Sequence, residues 1–131
     1  MAKNAPTESL SGISSLDHVN ILTNDLQSCR VFYVDILGFE EGFRPDFGFP
    51  GIWLYLNGKP RVHIIVTDEK QPKNSGTIDH VAFIAHNCDK FKSLLEAKNI
   101  KYEVRDVPGT LVRQLFCFDP NGVQIELNFE G

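Results

Sequence analysis

Two nearly identical phrases constrain this chain more than any other feature of its sequence. Leu16-Asp17-His18-Val19 returns 62 residues later as Ile78-Asp79-His80-Val81, and His63 is followed 63 residues later by Glu126. Side chains that commonly bind metals therefore repeat with almost the same period. Two copies at so long a period do not suit a solenoid, and they predict one domain made of two similar halves.

Hydrophobic periodicity gives both halves the same order of elements, βαβββ. In the first half we predict a strand over 15–23, a helix capped by Thr23 or Asn24 and ending before Gly38, and strands over 39–44, 52–56 and 61–66. In the second half we predict a strand over 77–85, a helix over 88–98, and strands over 102–104, 112–118 and 123–129. Asn57-Gly58 and Asp119-Pro120-Asn121-Gly122 supply the last turn of each half, since Asn and Gly tolerate positive φ.

The chain of 131 residues is long enough for one domain with its own core. We expect a flexible lead-in at 1–12 and a single domain at 13–131, with module 1 at 13–66, a polar linker at 67–76 and module 2 at 77–129. Scattered Lys and Arg with a net charge of −4 argue against nucleic acid, and no apolar run suits a membrane span or secretory signal. Three cysteines without metal-site spacing favour a reducing, cytoplasmic location.

Strand alternation places the repeated residues on polar faces. On the last predicted strand Gln124, Glu126 and Asn128 share one face, and apolar residues occupy the other. The strand over 61–66 divides in the same way, with Arg61 and His63 on its polar side. If two such sheets curl with their polar faces inward, they enclose a metal site.

His18, His63, His80 and Glu126 are therefore the candidate metal ligands. Three neutral imidazoles and one carboxylate suit a divalent ion such as Zn, Ni, Fe, Mn or Co, and the sequence does not choose among these metals. A single histidine on a strand is more often a partner of a backbone group, but four at matched repeat positions favour metal binding. The fourth histidine, His86, is expected at the surface or at a helix cap.

Seven further residues are candidates for substrate binding. Asn20, Arg61, Gln124 and Asn128 lie on the predicted polar faces, Trp53 and Tyr55 alternate on one strand, and Arg113 carries a guanidinium that can hold an acidic tail. For Arg113 a solvated side chain is the alternative, and for the two aromatic residues the alternative is the core. The loop over 44–51 is apolar for a surface segment, which predicts a lid, a dimer contact or a loop folded onto its own core.

These phrases, together with Phe32-Tyr33, Leu37-Gly38-Phe39 and the run from Phe118 to Leu127, resemble the vicinal oxygen chelate superfamily. That group includes glyoxalase I, fosfomycin and bleomycin resistance proteins and extradiol dioxygenases. The resemblance covers 13–129 and implies an α+β fold of two tandem βαβββ modules, whose curled mixed sheets enclose a metal-binding cavity. By position it makes His18, His63, His80 and Glu126 the metal ligands, and it implies a homodimer whose site is sometimes built from both chains.

The resemblance leaves three functions open. The first is a metal-dependent lyase or isomerase of glyoxalase type, acting on a substrate with two adjacent oxygens, although glyoxalase I usually has Glu where His63 stands. In that function Glu126 is the candidate base, or it remains only a ligand. The second is an Fe(II) extradiol dioxygenase that uses His18, His80 and Glu126. The third is a metal-free protein that sequesters a drug or metabolite.

Overall fold

A computed structural model describes residues 12–130, which form two modules with the same element order. The first module contains β1 (Val19–Thr23), α1 (Leu26–Arg30), β2 (Glu40–Gly42), β3 (Gly51–Leu56) and β4 (Lys59–Val66), and α1 continues into a π-helical stretch, Val31–Ile36. The second contains β5 (His80–Ala85), α2 (Cys88–Ala97), β6 (Tyr102–Asp106), β7 (Arg113–Phe118) and β8 (Gln124–Phe129). The predicted α+β architecture of two βαβββ modules is confirmed. The predicted lead-in, apart from Gly12, lies outside the described residues.

The two sheets repeat one topology. Their strand orders are β1-β4-β3-β2 and β5-β8-β7-β6, with the first pair of each sheet parallel and the other pairs antiparallel. Neither sheet closes on itself, so β1 and β5 are edge strands of two open sheets. Within the described part of one chain the sheets therefore do not form the enclosed cavity that was predicted.

Local hydrogen bonds explain where β1 and α1 begin. β1 starts at Val19, four residues later than predicted, and the cap of α1 is Asp25 instead of Thr23 or Asn24. Asp25 has extended backbone, and its Oδ1 accepts a hydrogen bond from Ser28 N at 3.1 Å. Asn24 instead donates to the carbonyl of Thr67, which ties the linker to module 1. Gly38 takes φ +84° after the π-helical stretch, as expected of a helix-terminating glycine.

The turns before β4 and β8 differ. Asn57 and Gly58 both have positive φ, as the tight turn of a hairpin requires. In the second turn only Gly122 does, and Asn121 instead donates its backbone N–H to Asp119 Oδ1 at 2.8 Å. A side chain at position 122 would place Cβ 2.4 Å from the backbone of Lys73, so this glycine also allows the linker to pass.

The modules join on their helical sides. Val62 and Ile64 of β4, and Ile125 and Leu127 of β8, are buried on the faces that meet the helices. Across the join the Tyr33 hydroxyl donates to Asp119 Oδ2 at 2.7 Å. The opposite face of each sheet is left for the polar residues. No helix in residues 12–130 is long and apolar enough to cross a bilayer.

Candidate functional site

Strand register places His63 at the centre of the open face of module 1. Its neighbours Val62 and Ile64 are fully buried beneath the sheet, so alternation turns His63 to the other side. Asn20 of β1 and Trp53 of β3 are its partners across the sheet. Three residues predicted at the site are thus neighbours on one face.

Stacked rings bring His18 to His63. The two imidazole centroids lie 3.8 Å apart with a 9° angle between the planes. The ring of Trp53 also stacks on His63, with a centroid distance of 4.1 Å and an interplanar angle of 17°. Partial burial lowers the pKa of His63, and the neighbouring His18 lowers it further. The lowered pKa favours a neutral His63, and because its Nε2 lies 3.1 Å from the carbonyl of Pro60, the lone pair of Nδ1 is the one available to a ligand.

Arg61 fixes the segment that carries His18. Its guanidinium donates to the carbonyl of Asp17 at 2.7 Å and to that of Leu16 at 3.3 Å, which holds irregular backbone just before β1. His18 Nδ1 in turn lies 2.6 Å from Asp17 Oδ2. Arg61 is on the predicted face, but it binds backbone, and the Asp17 contact leaves Nε2 of His18 for another partner.

Module 2 repeats the aspartate and histidine contact. His80 is the first residue of β5, and its Nδ1 lies 2.9 Å from Asp79 Oδ2. Its Nε2 lies 3.2 Å from Glu126 Oε1 on the adjacent strand. The hydrogen bond with Asp79 raises the pKa of His80, and the charge of Glu126 adds to that effect.

Two amides hold the carboxylate of Glu126, which is only 7 % exposed. Its Oε2 accepts from Asn128 Nδ2 at 2.8 Å and from Gln114 Nε2 at 3.1 Å, and Gln114 also donates to Asn128 Oδ1. Gln114 was missed in the sequence because the pattern before this strand does not fix which of its residues face which side of the sheet. In the structure Gln114 is the cross-strand partner of Asn128, so its side chain lies on the open face of the sheet.

Arg113 does not lie with the other candidates, and it has the solvated side chain that was the alternative for it. It is adjacent to Gln114 on β7, so it points to the opposite side of the sheet, and its Nε donates to Asp106 Oδ1 at 3.0 Å. It lines a separate cleft near His86 and Cys88. His86 is exposed, as predicted.

Gln124 and Tyr55, the remaining candidates, have different surroundings. Gln124 is the register partner of His80 on the open face of module 2. Tyr55 lies two residues after Trp53 on β3. Its hydroxyl donates to the carbonyl of Phe43 at 2.6 Å and so fixes the start of the β2–β3 loop. Asp17 and Asp79 were not among the predicted site residues, although the repeated phrases contained both.

The structure brings the four predicted ligands together as two pairs, His18 with His63 and His80 with Glu126. Among residues 12–130 no group of three His, Cys, Asp or Glu side chains is close enough to hold a metal ion. Each pair instead occupies the open face of its own sheet. A four-ligand centre would need the two faces to meet.

Residues 15–127 match the sequence profile of the glyoxalase/bleomycin resistance protein/dioxygenase superfamily. The chain belongs to this superfamily. The matched region contains all four predicted ligands and most of both modules.

Curated members of the superfamily carry different names. The chain is 31% identical over 123 residues to glyoxylase I 4 of Arabidopsis thaliana, covering 88% of this chain and 70% of that protein. It is 32% identical over 124 residues to YwkD of Bacillus subtilis, covering 88% and 96%. Metapyrocatechase of Geobacillus stearothermophilus is 27% identical over 124 residues, covering 88% of this chain but 37% of the enzyme. Membership therefore does not select one reaction.

Solved structures agree on the fold. The glyoxalase family protein from Enterococcus faecalis superposes with a TM-score of 0.66 at 27% identity, covering 87% of this chain and 96% of that one. The fosfomycin resistance protein FosX from Listeria monocytogenes gives 0.71 at 18% identity, covering 91% and 95%. The likeness to FosX shows the superfamily fold alone.

Proposed function

We propose that the protein is a metal-dependent lyase or isomerase of glyoxalase type, acting on a small molecule with two adjacent oxygens. The observation that carries the proposal is the matched placement of two donor pairs. His18 with His63 and His80 with Glu126 occupy equivalent positions on the open faces of the two sheets. A superfamily relative named glyoxylase I 4 supports the same class of reaction.

The donor chemistry fits a divalent metal ion. Asp17 and Asp79 contact the Nδ1 atoms of His18 and His80, an arrangement that orients a metal-binding imidazole and leaves Nε2 as the ligand atom. His63 is held neutral by partial burial. Together with Glu126 these three imidazoles would hold Zn, Ni, Fe, Mn or Co.

We further propose a homodimer in which His18 and His63 of one protomer face His80 and Glu126 of the other. The separation of the four residues into two pairs within one chain supports this arrangement. So do Leu22 of β1 and Ile84 of β5, which are 43% and 64% exposed on the two edge strands at equivalent positions of the repeat. Pairing of these edges would bury both side chains.

Glu126 has a defined part in an isomerase. When bound, the metal would stabilise negative charge on the two substrate oxygens. Glu126 would take the proton from the carbon next to the carbonyl and return it to the neighbouring carbon. Gln114 and Asn128 fix Oε2 of Glu126, so Oε1, the atom nearest His80, is the one that would move the proton once Glu126 is loosened from the metal.

An Fe(II) extradiol dioxygenase is the second candidate. The 27% identity to metapyrocatechase is the observation that favours it. His18, His80 and Glu126 would then be a two-histidine, one-carboxylate set, and His63 would be an additional ligand or an acid-base group. Oxygen uptake with catechol separates the two enzymes, because the isomerase consumes no oxygen.

We also propose a cytoplasmic location. Cys29, Cys88 and Cys117 are free thiols, and Cys29 and Cys117 are buried in the core. Free thiols persist in reducing compartments. Fractionation of cells that express the protein would test this location.

Metal analysis of the purified protein tests the proposed function. Untagged protein prepared without chelator should contain close to one metal ion per chain, and His80→Ala and Glu126→Ala should lose most of it. His86→Ala is the matched control, since it removes a histidine that lies outside the proposed site. A wild-type protein that takes up no metal even after reconstitution would refute both enzymes and leave a metal-free binding protein.

A further inference from the structure

The loop between β2 and β3 forms a small pocket beside His63. Its residues fold back over the open face of module 1 and enclose about 160 Å³. The pocket is lined by Asn20, Arg44, Phe47, Phe49, Trp53, His63 and Ile65. The loop that was predicted to be a lid, a dimer contact or a self-packed segment thus contributes one wall of a cavity next to the proposed metal site.

Arg44 is held inside this pocket by its own loop. Its guanidinium carbon lies 5.0 Å from the ring centroid of Phe47 and 5.1 Å from that of Phe49. Its Nη1 donates to the carbonyl of Phe49 at 3.1 Å. These contacts fix the planar group and leave part of its hydrogen-bonding capacity available.

The charge of Arg44 has no counterpart in the described chain. Arg30, Arg105 and Arg113 each form an ion pair with a carboxylate, whereas Arg44 has none among residues 12–130. Its Nε is moreover buried without a hydrogen-bond partner, and it alone among the buried side-chain nitrogens and oxygens of the described residues is left in that state. A partly buried cation with no carboxylate partner and an unpaired donor is unfavourable, and an anionic ligand at its remaining N–H groups would lower that cost.

The other walls of the pocket are flat and aromatic. Phe47 and Phe49 are stacked at 5.7 Å with 20° between their planes, and Phe47 lies 6.1 Å from Trp53. A volume of this size holds one six-membered ring with a small substituent, since apolar cavities of about 150 Å³ accept benzene. Shape and charge therefore specify a flat body with one anionic group.

We propose that this pocket binds the non-reacting end of the substrate and that the substrate is a small aromatic or conjugated carboxylate. The carboxylate would accept hydrogen bonds from Arg44, and the ring would pack against Phe47, Phe49 and Trp53. The inference rests on the proposed function only in placing the reacting oxygens on the His63 side of the pocket.

Trp53 is the one tryptophan of the chain, so its fluorescence reports directly on the pocket. Benzoate should give a saturable change in the emission of metal-free protein. Benzamide, which keeps the ring without the charge, should bind at least about tenfold more weakly, because a hydrogen-bonded charge is lost. Arg44→Met should weaken benzoate binding by a similar factor.

Arg105→Met is the matched control. Arg105 also lies over an aromatic ring, that of Phe116 at 4.9 Å, but Glu103 neutralises it and it is not in the pocket. Benzoate binding by this variant should equal that of the wild type. Arg44→Lys, which keeps the charge but not the planar fork, should fall between the wild type and Arg44→Met.

The comparison of benzoate with benzamide on the wild type remains decisive even if Arg44→Met disturbs its loop. Equal affinity for the two probes, or no saturable response to benzoate, would overturn the proposal. So would benzoate affinity that is unchanged in a folded Arg44→Met protein. Because these titrations use metal-free protein, they can fail while metal analysis supports the proposed centre, and they can succeed while metal analysis refutes it.

Discussion

The imidazole rings of His18 and His63 lie face to face, 3.8 Å apart, although one precedes an edge strand and the other lies in the middle of a sheet. Arg61 makes this possible by holding the carbonyls of Leu16 and Asp17. In the proposed metal centre this pair is one half of the donor set, and His80 and Glu126 on the second sheet are the other half. A divided centre of this kind has a testable consequence for mixed dimers.

Mixing two variants that each fail to bind metal should restore metal binding. His63→Ala removes a donor of module 1, and Glu126→Ala removes a donor of module 2, so each homodimer has only incomplete centres. In the heterodimer, module 1 of the Glu126→Ala chain meets module 2 of the His63→Ala chain, and one complete centre results. Random association should then restore about a quarter of the wild-type metal content, measured by elemental analysis after co-refolding.

A mixture of His63→Ala with His18→Ala is the control, since both variants damage the same module and no pairing gives a complete centre. If each centre lies within one protomer, the first mixture will contain no more metal than its components. That result would contradict the divided arrangement.

Gln114→Leu should weaken the centre without touching a ligand. The substitution removes a donor to Oε2 of the buried Glu126 and leaves Asn128 as its remaining amide partner. Loss of such a supporting contact commonly lowers metal affinity about 10- to 100-fold. Competition with a chelator of known affinity would measure the loss. Arg113→Gln, one residue away on the other face of β7, should bind metal like the wild type, and equal effects of the two variants would contradict the strand parity.

The sequence was sufficient to predict what its repeat and its turns encode. The period of 62 residues predicted two βαβββ modules, and Asn57-Gly58 predicted the hairpin between β3 and β4 because both positions need positive φ. The polar and apolar faces of β4 and β8 followed from strict alternation beside fully buried partners such as Val62 and Ile125.

Three features could not be derived from that pattern. The segment before β7, with Gly109 at positive φ, breaks the alternation, so the parity of Arg113 and Gln114 was set only by pairing with β8. Whether the two sheets close or stay open depends on how they pack in three dimensions, and local periodicity does not contain that information. The pocket around Arg44 likewise depends on a loop whose contacts are tertiary.

Tyr33→Phe should loosen the join between the modules. The hydroxyl of Tyr33 is buried and donates to Asp119 Oδ2, which connects the π-helical stretch to the turn before β8. Its removal should lower the free energy of unfolding by about 1–3 kcal/mol, because the bond to a carboxylate is lost. Urea denaturation would measure this. Tyr102→Phe, whose hydroxyl bonds the exposed Glu96, should change stability by less than about 0.5 kcal/mol.

Alkaline pH should destabilise the protein through Cys117. Burial raises the pKa of this thiol from 9.0 to about 12, so the folded state retains a proton that the unfolded state releases. The stabilisation from the retained proton is complete below pH 9 and is lost as the pH rises towards 12. The free energy of unfolding should therefore fall in this interval by up to about 1.4 kcal/mol per pH unit from this group alone.

Burial of Tyr33, with the charge of Asp119, also raises the pKa of its phenol well above 10.0 and adds to the decline at the upper end of the range. Cys117→Ala should be less stable than the wild type at pH 7, because a buried side chain is truncated, but its stability should decrease less steeply between pH 9 and 12. Urea titrations at a series of pH values would compare the slopes. Parallel curves for the two proteins would show that Cys117 ionisation does not control the alkaline transition.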